Sequence, residues 1–292
     1  MRSICLYSAL FILAFAVSSC GGGGGGGGTT TPTTSQGKFI DAAVEGITYT
    51  SGSLTGTTSA DGTFSYQTGQ SVTFSIGGIT LGTVSGSSII TPVQLVSGAV
   101  NETNPTVVNI VQFLLSIDDD NNPANGIKIT PAMVTAAAGL SNIDFTLSGF
   151  DTDSGVISAI SAIKSAATVG YIGVYDQTLA QAHLNGSLFS VLSGTYSGTY
   201  TGGKDTGTWI IVLDASGNVV PAQSSVTSTT FGVTYAYGIT GTVNTSGTTN
   251  VATGTAGTAT WAGAINITTG AFSGTWNDPS EPDNGTFSGS KN

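Results

Sequence analysis

Gly194-Thr195-Tyr196-Ser197-Gly198-Thr199-Tyr200 is the stretch on which the fold turns. In an extended chain alternate residues share a face, so Gly194, Tyr196, Gly198 and Tyr200 stand on one side and the hydroxyl residues on the other. The unit of small residue, Thr and aromatic recurs at Gly207-Thr208-Trp209, Ala259-Thr260-Trp261, Gly274-Thr275-Trp276 and Gly285-Thr286-Phe287. Alternation of small and large on one face suits the tapering interior of a small barrel. Turn signals at 214–218, 245–247, 269–270 and 279–284 divide residues 193–292 into about eight short strands. The expectation is an eight-stranded antiparallel β barrel or sandwich, and parity leaves open which face is inside. Strands this short and this rich in Gly and Thr lack the outward apolar band of a membrane-spanning barrel.

The pattern changes on moving back along the chain. In residues 92–192, Val107, Val108, Ile110, Val111, Leu114 and Leu115 recur at helical spacing, which predicts a buried helix from Pro105 to Ile117. Further helices are predicted over 131–138, 157–167 and 176–188. Residues 38–91 return to strand and turn signals, with Thr63 to Tyr66 and Val72 to Ile76 alternating at period two around tight turns at Asp61-Gly62 and Gly77-Gly78. The fold class is therefore mainly β with a helical middle segment, that is α+β, beginning with a small β sandwich.

The first residues give an address. Arg2 is a positive n-region, Leu6 to Val17 form an apolar stretch too short to span a bilayer, and Val17-Ser18-Ser19-Cys20 leads to a cysteine followed at once by Gly21 to Gly28. This resembles the lipobox of bacterial lipoproteins, which implies a signal peptide over 1–19, acylation of Cys20 and a Gly/Thr-rich linker over 20–37. More than one acyl chain on a cysteine gives stable anchoring where a single chain is marginal. Gly21, where inner-membrane retention usually has Asp, implies the outer membrane. The run Val44-x-Gly46-x-x-Tyr49 followed by Thr58-x-Ala60-Asp61-Gly62-x-Phe64-x-Tyr66 resembles prealbumin-like β modules of bacterial surface proteins. With the helical segment to His183-Leu184 it resembles uncharacterised proteobacterial adhesin-like lipoproteins, a resemblance that implies no activity.

Composition narrows the function. Charged residues are 8% and the formal net charge is −10, so a nucleic-acid partner is excluded electrostatically. Cys5 leaves with the leader and lipid consumes Cys20, so no thiol remains for a disulfide, a zinc cluster or a nucleophile. His183 is the single histidine, and no G-x-S-x-G elbow accompanies it. Asp278, Glu281 and Asp283 share one loop without a spacing that fixes an acid/base pair. The expectation is a non-enzyme with no catalytic residues.

Two candidate sites remain. Asp118-Asp119-Asp120-Asn121-Asn122-Pro123-Ala124-Asn125-Gly126 concentrates the oxygen ligands Ca²⁺ takes, with Asp118, Asp120, Asn122 and Asn125 as ligands. Pro123 and Ile129 stand where an EF-hand has Gly and Glu, and a plain loop satisfies the same residues. Three carboxylates at a helix C-terminus oppose the macrodipole and call for a cation. Ca²⁺ is the one cofactor considered. The second candidate is an aromatic platform of Tyr196, Tyr200, Trp209, Trp261 and Trp276, able to stack on sugar rings or to fill a barrel core. The sequence thus points to an outer-membrane, lipid-anchored protein for surface binding or adhesion, its partner an extracellular polysaccharide or an envelope protein. The alternative is a periplasmic-side accessory of an export or assembly machine.

Overall fold

The computed structural model describes residues 33–235, 238–245 and 249–292. The leader, Cys20 and the glycine tract lie outside the described residues, as does part of the 245–247 turn. Strand exceeds helix, 40% against 23%, which makes the chain a β-rich α+β protein.

The strands of the first part are β1 (Thr34–Phe39), β2 (Val44–Glu45), β3 (Thr48–Ser51), β4 (Leu54–Thr57), β5 (Thr63–Gln67), β6 (Ser71–Ile76), β7 (Ile79–Ser85) and β8 (Ile89–Ile90). They form a β5-β1-β8 sheet and a β4-β3-β6-β7 sheet. Period-two alternation puts Phe39 and Phe64 on the inner face of the first and Phe74 on the inner face of the second. Their rings meet between the sheets at 4.8 and 5.1 Å. The result is a small sandwich.

The middle segment carries α1 (Pro92–Leu95), α2 (Pro105–Ser116), α3 (Pro131–Ala137), α4 (Ser154–Lys164) and α5 (Gln177–Leu192). Each of the last four starts where a side chain can replace the missing helical acceptor. Asn104 accepts from the Thr106 and Val107 amides, Thr130 from Met133, Asp153 from Gly155 and Val156, and Asp176 from Leu179. Helix α2 is buried from Val107 to Ser116, so its polar residues have to find partners inside. Asn109 Nδ2 donates to the carbonyls of Phe145 and Leu147, and Gln112 Nε2 to that of Tyr175. These bonds hold two segments outside the helices, a turn at 145–147 and the stretch before α5, against the helix. A short strand, β9 (Ile127–Lys128), pairs parallel with β2.

The last part is a sheet of β10 (Gly194–Gly202), β11 (Thr206–Leu213), β12 (Ser225–Ser228), β13 (Val233–Tyr235), β14 (Thr240–Asn244), β15 (Thr249–Ala256), β16 (Ala259–Asn266), β17 (Ala271–Asp278) and β18 (Asp283–Lys291). It has nine strands where eight were expected, and they curl into a half-barrel. The order β13-β12-β11-β10-β18-β17-β16-β15-β14 is that of an up-and-down barrel with first and last strands paired and a seam between β13 and β14. No ladder joins those two strands among the described residues. Instead the edge of β14 receives residues 217–219: the Val219 amide donates to the Gly241 carbonyl and the Val243 amide to that of Gly217.

Curvature comes from paired glycines. Gly198 faces Gly289 and Gly263 faces Gly274 across their ladders. A Cβ on Gly198 would lie 2.0 Å from the Ser288 carbonyl oxygen, and one on Gly263 would lie 2.6 Å from the Phe287 ring. Strands approach this closely only where side chains are missing. The rings lie over glycines one or two strands away, Trp261 over Gly254 and Gly241 and Trp276 over Gly202. This settles the parity: Gly and aromatic residues form the concave face and the Thr rows the convex one.

Candidate functional site

One end of the half-barrel adjoins the helical segment. There Tyr196 is fully buried, its hydroxyl donates to the Leu192 carbonyl at 2.7 Å, and burial pushes its pKa up to about 12. The other end, ringed by hairpin tips, opens into a cavity of about 670 Å³. Tyr200, Trp209, Trp261 and Trp276 line it together with Phe287 and Phe231. Four of the five aromatic candidates therefore converge on one cavity, with Tyr200, Trp209 and Trp261 largely buried in its wall and Trp276 half-buried, and Tyr196 lies beneath it. The rings are braced edge to face, Tyr200 against Trp276 at 5.8 Å and Trp209 against Phe287 at 5.7 Å. Trp209 Nε1 donates to the Thr199 carbonyl and Trp276 Nε1 to that of Thr201, which fixes both indoles. Trp261 Nε1 is buried without a hydrogen-bond partner.

Hairpin tips at 202–206, 257–258 and 279–282 supply a polar rim. Asp205 accepts from the Tyr200 hydroxyl at 2.7 Å and from Ser228 Oγ at 2.5 Å. Asp283 accepts from the amides of Gly203, Lys204, Asp205 and Asn284. Burial pushes its carboxyl up, but those amides outweigh it and hold the group below the usual carboxylate range. Asp278 behaves likewise, with burial overcome by bonds from Ser280 and Thr258. The single rim ammonium, Lys204 Nζ, donates to the Glu281 carbonyl. The rim is thus fixed and anionic, and Asp205, Lys204 and Phe231 join it from positions that carried no motif in the sequence.

The acidic loop after α2 is braced by a buried lysine. Lys164, at the end of α4, is buried, and its Nζ donates to the carbonyls of Asp118 and Asp119 and to Asn121 Oδ1. The cation this loop called for is this ammonium. Asp118 Oδ1 accepts from the Lys128 amide, while Asp120 accepts from the Asn122 amide and Asn125 Nδ2. Asp119 accepts from the amide and hydroxyl of Thr168. Three of the four expected ligands, Asp120, Asn122 and Asn125, are thus brought together by their own hydrogen bonds, and no cluster of three or more metal-ligating side chains of the acidic, His or Cys type occurs among the described residues. Lys164 is the one charged residue of α4, and nothing local in the sequence marks its partner.

His183 faces Asp41, with Nε2 3.6 Å from Asp41 Oδ1. Asp41 is fully buried and neither carboxyl oxygen has a hydrogen-bond partner, so burial raises its pKa well above the ordinary value. Burial holds the His183 imidazole below its usual range. The lipidation candidate Cys20 lies outside the described residues. Comparison with models of protein families, with curated proteins and with solved structures gives no match.

Proposed function

We propose that the chain is an outer-membrane lipoprotein, anchored through acylated Cys20, that acts as a non-enzymatic surface-binding or adhesion protein and docks its ligand in the aromatic cavity of the half-barrel. The observation that carries the binding part is the convergence of Tyr200, Trp209, Trp261 and Trp276 on one concavity of about 670 Å³. Largely apolar walls with a few fixed polar groups at the mouth are what ligand sites of this size have in common. The rim carboxylates favour binding over acid/base chemistry, since Asp278 and Asp283 are both held on the ionised side. The lipobox resemblance and the net charge of −10 support the anchor, because an acidic protein reaches an anionic bilayer through acyl chains.

The test has two arms. Antibody access to the half-barrel is compared on intact cells and on cells whose outer membrane has been opened. Access on intact cells is expected, and protection until opening would overturn surface binding in favour of a periplasmic accessory. Retention of extracellular polysaccharides by the purified full chain is then compared with that of Trp276→Ala, where unchanged retention would remove the cavity from the reading.

A further inference from the structure

We propose that the cavity selects ligands bearing an organic ammonium group, held over the aromatic faces and under the carboxylate rim; this rests on the cavity being the binding site. The walls and the rim are independent observations that point to the same chemistry. Tyr200 and Trp276 stand at 89° to one another and Trp261 and Phe287 at 86°, so adjoining rings form corners of a box in which an edge of one ring meets a face of the next. The face of an aromatic ring carries negative quadrupole density and attracts a cation within about 6 Å of its centre. Asp205, Asp278, Glu281 and Asp283 line the same cavity with Lys204 as the one opposing charge, and the Lys204 ammonium is directed to a backbone carbonyl. Aromatic walls of low dielectric constant focus the field of that rim into the cavity. An anionic ligand is repelled, and a neutral sugar uses the rings but leaves the excess of carboxylates without a counter-charge.

Glu281 separates the electrostatic part from the fold. It is exposed, and its carboxylate takes part in no hydrogen bond or ion pair among the described residues. The aspartates, by contrast, brace the hairpin tips.

The experiment is a tryptophan-fluorescence titration of the full chain in detergent, since all three tryptophans line the cavity. The probes are choline, its neutral isostere 3,3-dimethylbutan-1-ol, and a neutral oligosaccharide. Choline is expected to give a saturable change at a concentration at least tenfold below the isostere. Glu281→Gln should weaken choline several-fold and leave the isostere unchanged, and added salt should act in the same direction. Equal binding of choline and isostere, or a response to the oligosaccharide alone, would overturn ammonium selection while leaving the cavity as a binding site. No response to any probe would overturn both.

Discussion

Lys164 shows how a buried charge organises a loop. Its ammonium is surrounded by two carbonyls and one amide oxygen at the C-terminal end of α2, where the helix dipole is negative and three aspartates follow. Replacing it by methionine keeps the stem and leaves those oxygens unpaired, for which hydrogen bonds to charged groups give a loss of about 3 kcal/mol in urea unfolding. A loss under about 0.5 kcal/mol, the range of an ordinary surface change, would show that the loop does not depend on the ammonium. With Lys164 in place, Ca²⁺ or a chelator should not move the wild-type melting midpoint; a midpoint raised by the ion would return the loop to calcium. The oxygen-rich composition of this loop was legible in the sequence. Its occupant was not, because Lys164 reaches it from 46 residues away.

Asp41 makes a prediction with a sign. Burial raises its pKa, so the folded state keeps its proton while the unfolded chain releases it near pH 4. Between those values the native state binds more protons, and stability falls as pH rises through the folded pKa. His183 is held low, so below about pH 6.5 the unfolded chain takes up its proton first and stability falls as pH falls. Asp41→Asn removes the first slope and leaves the second. Melting curves from pH 4 to 8 should show the variant gaining on wild type as pH rises, and a constant difference between the two would mean that Asp41 does not titrate in this range.

At the scale of elements, the half-barrel depends on what its strands lack. Gly198 and Gly289 meet where a Cβ would press on backbone rather than on a movable side chain. Gly198→Ala should therefore cost about 1–3 kcal/mol, as overpacking does, although it adds one methyl group. Thr199→Ala, one residue along on the exposed convex face, should cost under about 0.5 kcal/mol in the same urea titration. Similar losses for the two would mean that the glycine pairs do not set the curvature. Period-two alternation made the strands and their two faces readable from the sequence. Which face turns inward depends on cross-strand pairing: the rings lie over glycines one or two strands away, and a single-strand pattern does not contain those neighbours. Three-residue β13 has too little alternation to register in a sequence pattern. The helices were better marked, and Asn104-Pro105, Thr130-Pro131 and Asp176 stand at their observed starts.

At the scale of the molecule, composition shifts divide the chain near residues 92 and 193, whereas its buried side chains form one continuous cluster from Phe39 to Phe287. The joint between the helical segment and the half-barrel is partly polar. Glu102, buried ahead of α2, accepts from Asn185 Nδ2 on α5 and from the Thr245 hydroxyl beyond β14, at 2.9 Å each. These partners are 83 and 143 residues away in sequence, so no local pattern announces them. The joint is testable because its two sides report separately. All three tryptophans lie in the half-barrel and the long helices lie outside it, so tryptophan fluorescence follows one side and helical circular dichroism is dominated by the other. A shared core should make the two urea transitions coincide, as a cooperative unit requires. Glu102→Ala removes the shared acceptor of the Asn185 amide and the Thr245 hydroxyl and leaves them only their bond to each other, and the half-barrel should then lose fluorescence at a lower urea concentration than the helices lose ellipticity. Separate transitions already in the wild type would mean that the half-barrel folds on its own and that Glu102 only decorates the contact. Transitions that stay superimposed in Glu102→Ala would place the coupling instead in the apolar contact around Leu192 and Tyr196, where α5 runs into β10.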